Sequence, residues 1–178
     1  MRTLILAGLV AVAAAGCRSQ QRTLPPAIPP VPSPVAVGGF GQQFMDIALG
    51  AGAPAEPRKC LYAHYTGWLT DGSKFDSSRD TMPNGRPRTP IAFAQGARRV
   101  IVGWDVGFEG MKVGGQRRLF IPYQLAYGEN GRPPVIPPRA ELIFDVELMA
   151  VADTLPRSTP APGQPPQCPT WDSVKPAQ

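Results

Sequence analysis

Few side chains here have the types and spacing that acid, base or metal chemistry needs. The chain of 178 residues has one His, at position 64, and three Cys, at 17, 60 and 168. A metal site takes several His, Cys or carboxylate ligands, so a single His and scattered Cys predict no metal, and no cofactor is expected. Cysteine chemistry depends on compartment: in an oxidising one Cys60 and Cys168 can pair, and otherwise they stay free thiols. Taken singly, Trp104 and Phe144 read as core residues, and Asp76 before Ser77-Ser78 reads as a turn or cap residue. Tyr127-Gly128 reads as a strand end.

The first 16 residues point to export. Met1-Arg2-Thr3 is a short positive start, Leu4 to Ala15 is apolar, and small residues follow, which is the pattern of a signal peptide too short to span a membrane permanently. Ala14-Ala15-Gly16-Cys17 resembles a bacterial lipobox, in which the Cys is diacylated and becomes the new N-terminus; it departs at Ala14, where Leu is usual. Cleavage after Ala13-Ala14-Ala15 would instead release a soluble protein. The expected lipidation site is Cys17, with the protein exported, facing the periplasm or cell surface. Arg18, not Asp, follows Cys17, which favours the outer membrane.

Proline divides the remainder. Of 23 Pro, 13 fall in residues 18–35 and 153–178. Residues 17–35, with Leu24-Pro25-Pro26-Ala27-Ile28-Pro29-Pro30, read as a polyproline tether that could hold a domain roughly 50 Å from a membrane at ~3.1 Å per residue. Residues 153–178 read as a similar spacer, with disorder as the default. A Cys60–Cys168 disulfide would pin that tail back. Residues 36–152 form one domain's worth of chain. They carry 13 Lys/Arg and 11 Asp/Glu, too balanced for a duplex-binding face, so nucleic acid is not an expected partner.

Within that domain Leu142, Phe144, Val146 and Leu148 alternate with Glu141, Ile143, Asp145 and Glu147, which predicts a strand over Ala140 to Val151 with one apolar face. Further strands are expected over Lys59 to Leu69, Gln116 to Pro122, Ile91 to Gln95 and Gln43 to Leu49. Between Val100 and Gly110 the period changes: Ile101, Trp104 and Phe108, three and four apart, predict about two helical turns kept short by Gly103, Gly107 and Gly110. About five antiparallel strands with one short helix predict an α+β domain.

Six blocks then occur in order. They are His64-Tyr65-Thr66-Gly67-Trp68-Leu69-Thr70-Asp71-Gly72-Ser73-Lys74-Phe75-Asp76-Ser77-Ser78, Val100-Ile101-Val102-Gly103-Trp104-Asp105, Gly110-Met111-Lys112-Val113-Gly114-Gly115, Leu125-Ala126-Tyr127-Gly128, Ile136-Pro137-Pro138 and Leu142 to Leu148. Over about Phe44 to Val151 the chain resembles the FKBP-type peptidyl-prolyl isomerases, the macrolide-binding immunophilins. The resemblance implies a strongly bent antiparallel sheet wrapped around the short helix. It implies a pocket of Tyr65, Phe75, Asp76, Phe93, Val100, Ile101, Trp104, Tyr127, Ile136 and Phe144, with Trp104 as floor. It further implies that the Ile101 backbone N–H and the Tyr127 hydroxyl donate to substrate carbonyls, and that Asp76 accepts a hydrogen bond from Tyr65.

Such a pocket suits rotation about an X-Pro bond. That bond resists twisting by close to the ~18–20 kcal/mol of an ordinary peptide because amide resonance must be broken. An apolar site removes water that stabilises the planar form, or fixed dipoles match the twisted one. Lowering the barrier by ~4 kcal/mol gives roughly 10³-fold acceleration. Asp76 is not expected to transfer a proton, and His64 faces the opposite side of its strand from Tyr65.

The sequence departs from the family at three places. Ile91 stands where a second aromatic is usual, the basic, turn-rich run from Arg79 to Thr89 is longer than in the smallest relatives, and Pro133-Pro134 should stiffen the flap that carries Ile136. No chaperone domain fits between Gly128 and Pro133, and residues 18–39 are too proline-rich for a dimerisation helix, so a monomer is expected. The expected function is isomerisation of proline bonds in unfolded or exported proteins, with macrolides as inhibitors; a non-catalytic proline-segment binder or holdase is the alternative.

Overall fold

The computed structural model describes residues 24–30, 36–37, 41–154 and 167–174. The alternating runs form one antiparallel sheet of seven strands: β1 (Ala36–Val37), β2 (Gln43–Ala48), β3 (Cys60–Leu69), β4 (Lys74–Ser77), β5 (Ile91–Ala94), β6 (Gln116–Ile121) and β7 (Leu142–Ala152). Their order is β1-β2-β6-β7-β3-β4. β4 pairs with residues 66–68 of β3 and β5 with residues 60–63, both on the edge away from β7. Residues 78–90 therefore leave and rejoin a single edge of the sheet.

All five expected strands form. β1 and β4 were not expected, because two and four residues are too few to show a period. The helix α1 (Val102–Gly107) is shorter than the 100–110 window. Two of its glycines do more than limit its length: a Cβ on Gly103 would lie 2.3 Å from Ile121 Cγ2, and one on Gly107 2.6 Å from Leu119 Cδ1. Spaced four apart, they give the helix a bare face that rests on β6.

The inner face of the sheet and α1 share the main core, with Leu61, Ala63, Phe93, Trp104, Phe108, Leu119, Ile121, Leu142, Phe144, Val146 and Leu148 all buried. The outer face is also covered. Leu24 and Ile28 pack over Met45, Trp68, Phe120 and Ile143. Arg118, fully buried, forms a two-point ion pair with Asp145 at 2.6 Å and donates to the Pro29 carbonyl. At the other end Cys168, Trp171 and Val174 pack over Cys60, Tyr62 and Ala150.

Cys60 and Cys168 are joined by a disulfide. The Tyr62 hydroxyl donates to Pro169 O at 2.8 Å, and its ring lies 5.8 Å from that of Trp171 in the helix α2 (Trp171–Val174). Residues 24–30 and 167–174 are thus not free spacers, a correction with a plain cause: each brings apolar side chains to an apolar patch of the outer sheet face, Trp68 and Ile143 at one end and Tyr62 and Ala150 at the other. The expected signal peptide, Cys17, and the rest of the linker and tail lie outside the described residues.

Candidate active site

The polar half of the site is built where β3 meets β4. Ser78 holds Tyr65 at both ends of its backbone: Tyr65 N donates to Ser78 Oγ at 2.8 Å and Ser78 N to Tyr65 O at 3.0 Å. Gly67 opposes Asp76 across the pair. This brings the Tyr65 hydroxyl to Asp76 Oδ2, to which it donates at 2.5 Å. Burial first, and the Asp76 hydrogen bond second, push the Tyr65 hydroxyl well above its ordinary pKa, so it stays protonated. The other carboxylate oxygen, Oδ1, accepts Ser77 N at 2.9 Å and Arg88 Nη1 at 3.1 Å. Asp76 is therefore fixed in orientation and matched by a cation.

The apolar half is a set of rings at right angles. Trp104, buried on α1, meets Tyr65 at 5.1 Å and 76° and Phe144 at 5.3 Å and 85°; Phe75 meets Phe144 at 5.4 Å and 90°. Edge-to-face pairs of this kind fix each ring against its neighbour. Phe93 and Phe108 back Trp104, each at 5.7 Å. The arrangement needs Gly67, since a Cβ there would lie 2.6 Å from Phe75 Cζ and 2.7 Å from Phe144 Cε1. The indole Nε1 is buried without a hydrogen-bond partner among the described residues.

The two expected donors, Ile101 and Tyr127, pack against the same cluster as these rings. Ile101 precedes α1 with extended backbone (φ −59°, ψ 146°), and its carbonyl accepts Trp104 N at 2.9 Å. Val100 and Ile101 pack half-buried against the core. Tyr127 lies half-buried between two 3-10 turns, Tyr123–Leu125 and Gly128–Asn130. Ile136 is buried in the same cluster, held by two backbone hydrogen bonds to Arg132 of 2.8 and 3.0 Å. Gly131, at φ +64°, permits that flap, because a Cβ there would meet Pro137 O at 2.2 Å.

Nine of the ten expected pocket residues belong to or pack against the main hydrophobic cluster, and Asp76 is tied to it by its hydrogen bond from Tyr65. Ile91 packs there as an aliphatic residue. His64 points away, its Nδ1 2.9 Å from Ser78 Oγ; burial and the Arg79 cation lower its pKa. Cys60 and Cys168 lie on the outer face. Arg88 was missed by sequence reasoning, as was the need for Gly67. The basic character of residues 79–89 was the one signal for Arg88, and nothing local says that its side chain turns back to Asp76. No group of three or more His, Cys, Asp or Glu that could hold a metal occurs among the described residues.

The site is thus apolar and ring-walled, with the Tyr65–Asp76 hydrogen bond at its polar edge. The family described as FKBP-type peptidyl-prolyl cis-trans isomerase matches residues 52–149. FK506-binding protein 4 of Dictyostelium discoideum is 50% identical over 112 residues, covering 63% of this chain and 29% of that longer protein. The FK506-binding protein of Neisseria meningitidis serogroup B is 49% identical over 106 residues, covering 60% of this chain and 92% of its own length. The crystal structure of a peptidyl-prolyl cis-trans isomerase from Pseudomonas syringae pv. tomato is 30% identical, with a TM-score of 0.58, over 67% of this chain and 81% of that one. The chain belongs to the FKBP-type peptidyl-prolyl cis-trans isomerase family, whose members bind proline-containing substrates and macrolides. It is an isomerase by that membership and by its fold.

Proposed function

We propose that the pocket twists X-Pro bonds of exported, incompletely folded proteins without covalent catalysis. The observation that carries this is the ring box of Tyr65, Phe75, Phe93, Trp104 and Phe144 with the protonated Tyr65 hydroxyl held on Asp76. In this reading a proline ring enters against the rings around Trp104. The carbonyl before it then leaves water, and the Ile101 N–H and Tyr127 hydroxyl supply fixed donors to the flanking backbone. A bond that twists needs no proton transferred.

The protein works, in this reading, as a monomer tethered by a lipidated Cys17 on the periplasmic or cell-surface side of a membrane, most simply the outer one. The Cys60–Cys168 disulfide supports an oxidising compartment. Catalytic amounts should speed a proline-limited refolding reaction, and an immunosuppressive macrolide should abolish the gain. Slowed aggregation without faster refolding would instead mean a holdase. For the anchor, intact mass of the membrane fraction should show a diacylated Cys17, and Cys17→Ser should release the protein; a soluble chain beginning after Ala15 would refute it.

A further inference from the structure

Arg117 and Arg118 are neighbours on β6, and neither is at the surface, at 6% and 0% exposed. Charges taken so far out of water must be matched by acceptors. Successive residues of a strand point to opposite faces, so the two arginines serve different partners. Arg118 faces outward, to Asp145 and the Pro29 carbonyl. Arg117 faces the helix that carries Trp104, and the isomerase mechanism leaves it unused.

Arg117 grips the C-terminal end of α1 and the turn after it. Its Nη1 donates to Gly107 O and to Glu109 O, each at 2.9 Å, and its Nε donates to Asp46 Oδ1 on β2 at 2.7 Å. Its guanidinium carbon stands 4.1 Å from the centre of the Phe44 ring. The last carbonyls of a helix have no partner within it, and six residues are too few to hold a helix by themselves. Side chains from outside complete the hold: Gln42 Nε2 donates to Gly103 O at 2.9 Å and Gln95 Nε2 to Asp105 O at 3.2 Å. Of these three side chains, Arg117 is the charged one and the one that spans two carbonyls. Leu119, two residues along β6 from Arg117, rests against the bare face at Gly107. β6 thus fixes α1 both by packing and by charge-assisted hydrogen bonds.

We propose that Arg117 is a positioning residue for the isomerisation: by tying the C-terminal carbonyls of α1 to β2 and β6, it keeps the Trp104 indole against Tyr65 and Phe144. Loss of its fork then costs turnover and not stability alone. This rests on the isomerase reading of the pocket. Trp104 meets Tyr65 at 5.1 Å and Phe144 at 5.3 Å, both edge to face. A helix displaced by about 1 Å would undo those contacts, and misplacement on that scale can cost about 10²-fold in rate.

The test sets Arg117→Gln beside Arg118→Gln in the whole chain. Each removes a buried cation from the same strand, and each should lower the urea midpoint. Arg117→Gln should lower kcat/KM on an X-Pro tetrapeptide by about ten- to a hundredfold. It should also move the indole N–H resonance of Trp104, assigned by its loss in Trp104→Phe. Arg118→Gln should leave that resonance in place and kcat/KM within about twofold, since distant sites act independently. Arg117→Lys, which keeps the charge but loses the fork, should recover part of the rate. Equal effects of the two glutamine variants on kcat/KM, or an indole that stays in place in Arg117→Gln, would make Arg117 a stabilising residue only and overturn the proposal. If Arg117→Gln fails to fold, Asp46→Asn asks the same question from a side chain 33% exposed. It should weaken turnover several-fold and move the same resonance, and no change in either would overturn the proposal. An unaltered chain that turned over no peptide would overturn the isomerase reading, and the indole shift would still decide whether Arg117 holds Trp104.

Discussion

Tyr65 and Asp76 act as one group. The hydroxyl stays protonated because burial and the carboxylate both oppose its ionisation, and the carboxylate stays oriented because Ser77 N and Arg88 also bind it. Tyr65→Phe removes one hydrogen bond of this set but keeps the ring against Trp104, so stability should fall by about 0.5–1.5 kcal/mol, and kcat/KM should fall about three- to tenfold, a loss of roughly 0.7–1.4 kcal/mol of barrier lowering, as Asp76 loses a group that orients it. Steady-state kinetics beside thermal melting separates the two. His64 gives a stability effect of opposite logic. Its pKa is lowered in the fold, chiefly by burial, from an ordinary 6.5, so the unfolded chain binds the extra proton first. Its contribution is complete above about 6.5 and is lost as pH falls through the lower folded value. His64→Gln should flatten stability across that window, measured by urea midpoints at several pH values. Tyr65 and Asp76 were legible because they sit in an ordered series of blocks. Arg88 was not, because its position depends on a hairpin, in which Thr81 bridges Pro87, that pattern alone does not register.

Glycine sets the geometry of the elements around the site. Gly67 on β3 lets Phe75 and Phe144 close over the strand, and Gly103 and Gly107 let α1 lie directly on β6. Gly67→Ala should push the two rings apart and cost about 1–3 kcal/mol as overpacking does, with a larger loss of turnover than of secondary structure. Circular dichroism and the refolding assay check this together. β7 and the inner face were readable from the period-two alternation alone, as was α1 from the change of period. β4 was hidden by its length, and the covering of the outer face was hidden by proline. Pro-rich stretches read as spacers, and only the burial of Ile28 and the docking of Trp171 show that short apolar residues within them find partners.

Both ends of the described molecule are tied to the outer sheet face, opposite the pocket. Near the N-terminus the ties are Ile28 and the Pro29 carbonyl on Arg118; near the C-terminus they are the disulfide and Tyr62–Trp171. The disulfide closes a separation of 108 residues. Replacing both Cys60 and Cys168 by Ser should therefore lower stability by about 2–4 kcal/mol through the unfolded chain, read from denaturant midpoints, and leave kcat/KM within about twofold because the bond is remote from the rings. If the whole molecule is a solid support behind an apolar, non-covalent site, the rate must depend on the ring box and not on a titrating group. Exchange spectroscopy of cis and trans populations in an X-Pro tetrapeptide measures it directly, for the unaltered chain and Trp104→Ala, from pH 6 to 8. Acceleration that is flat with pH and falls by more than about tenfold on Trp104→Ala, the loss of more than ~1.4 kcal/mol of barrier lowering, is the predicted result. A rate that climbs or falls tenfold per pH unit, or one that survives loss of the indole, would contradict it.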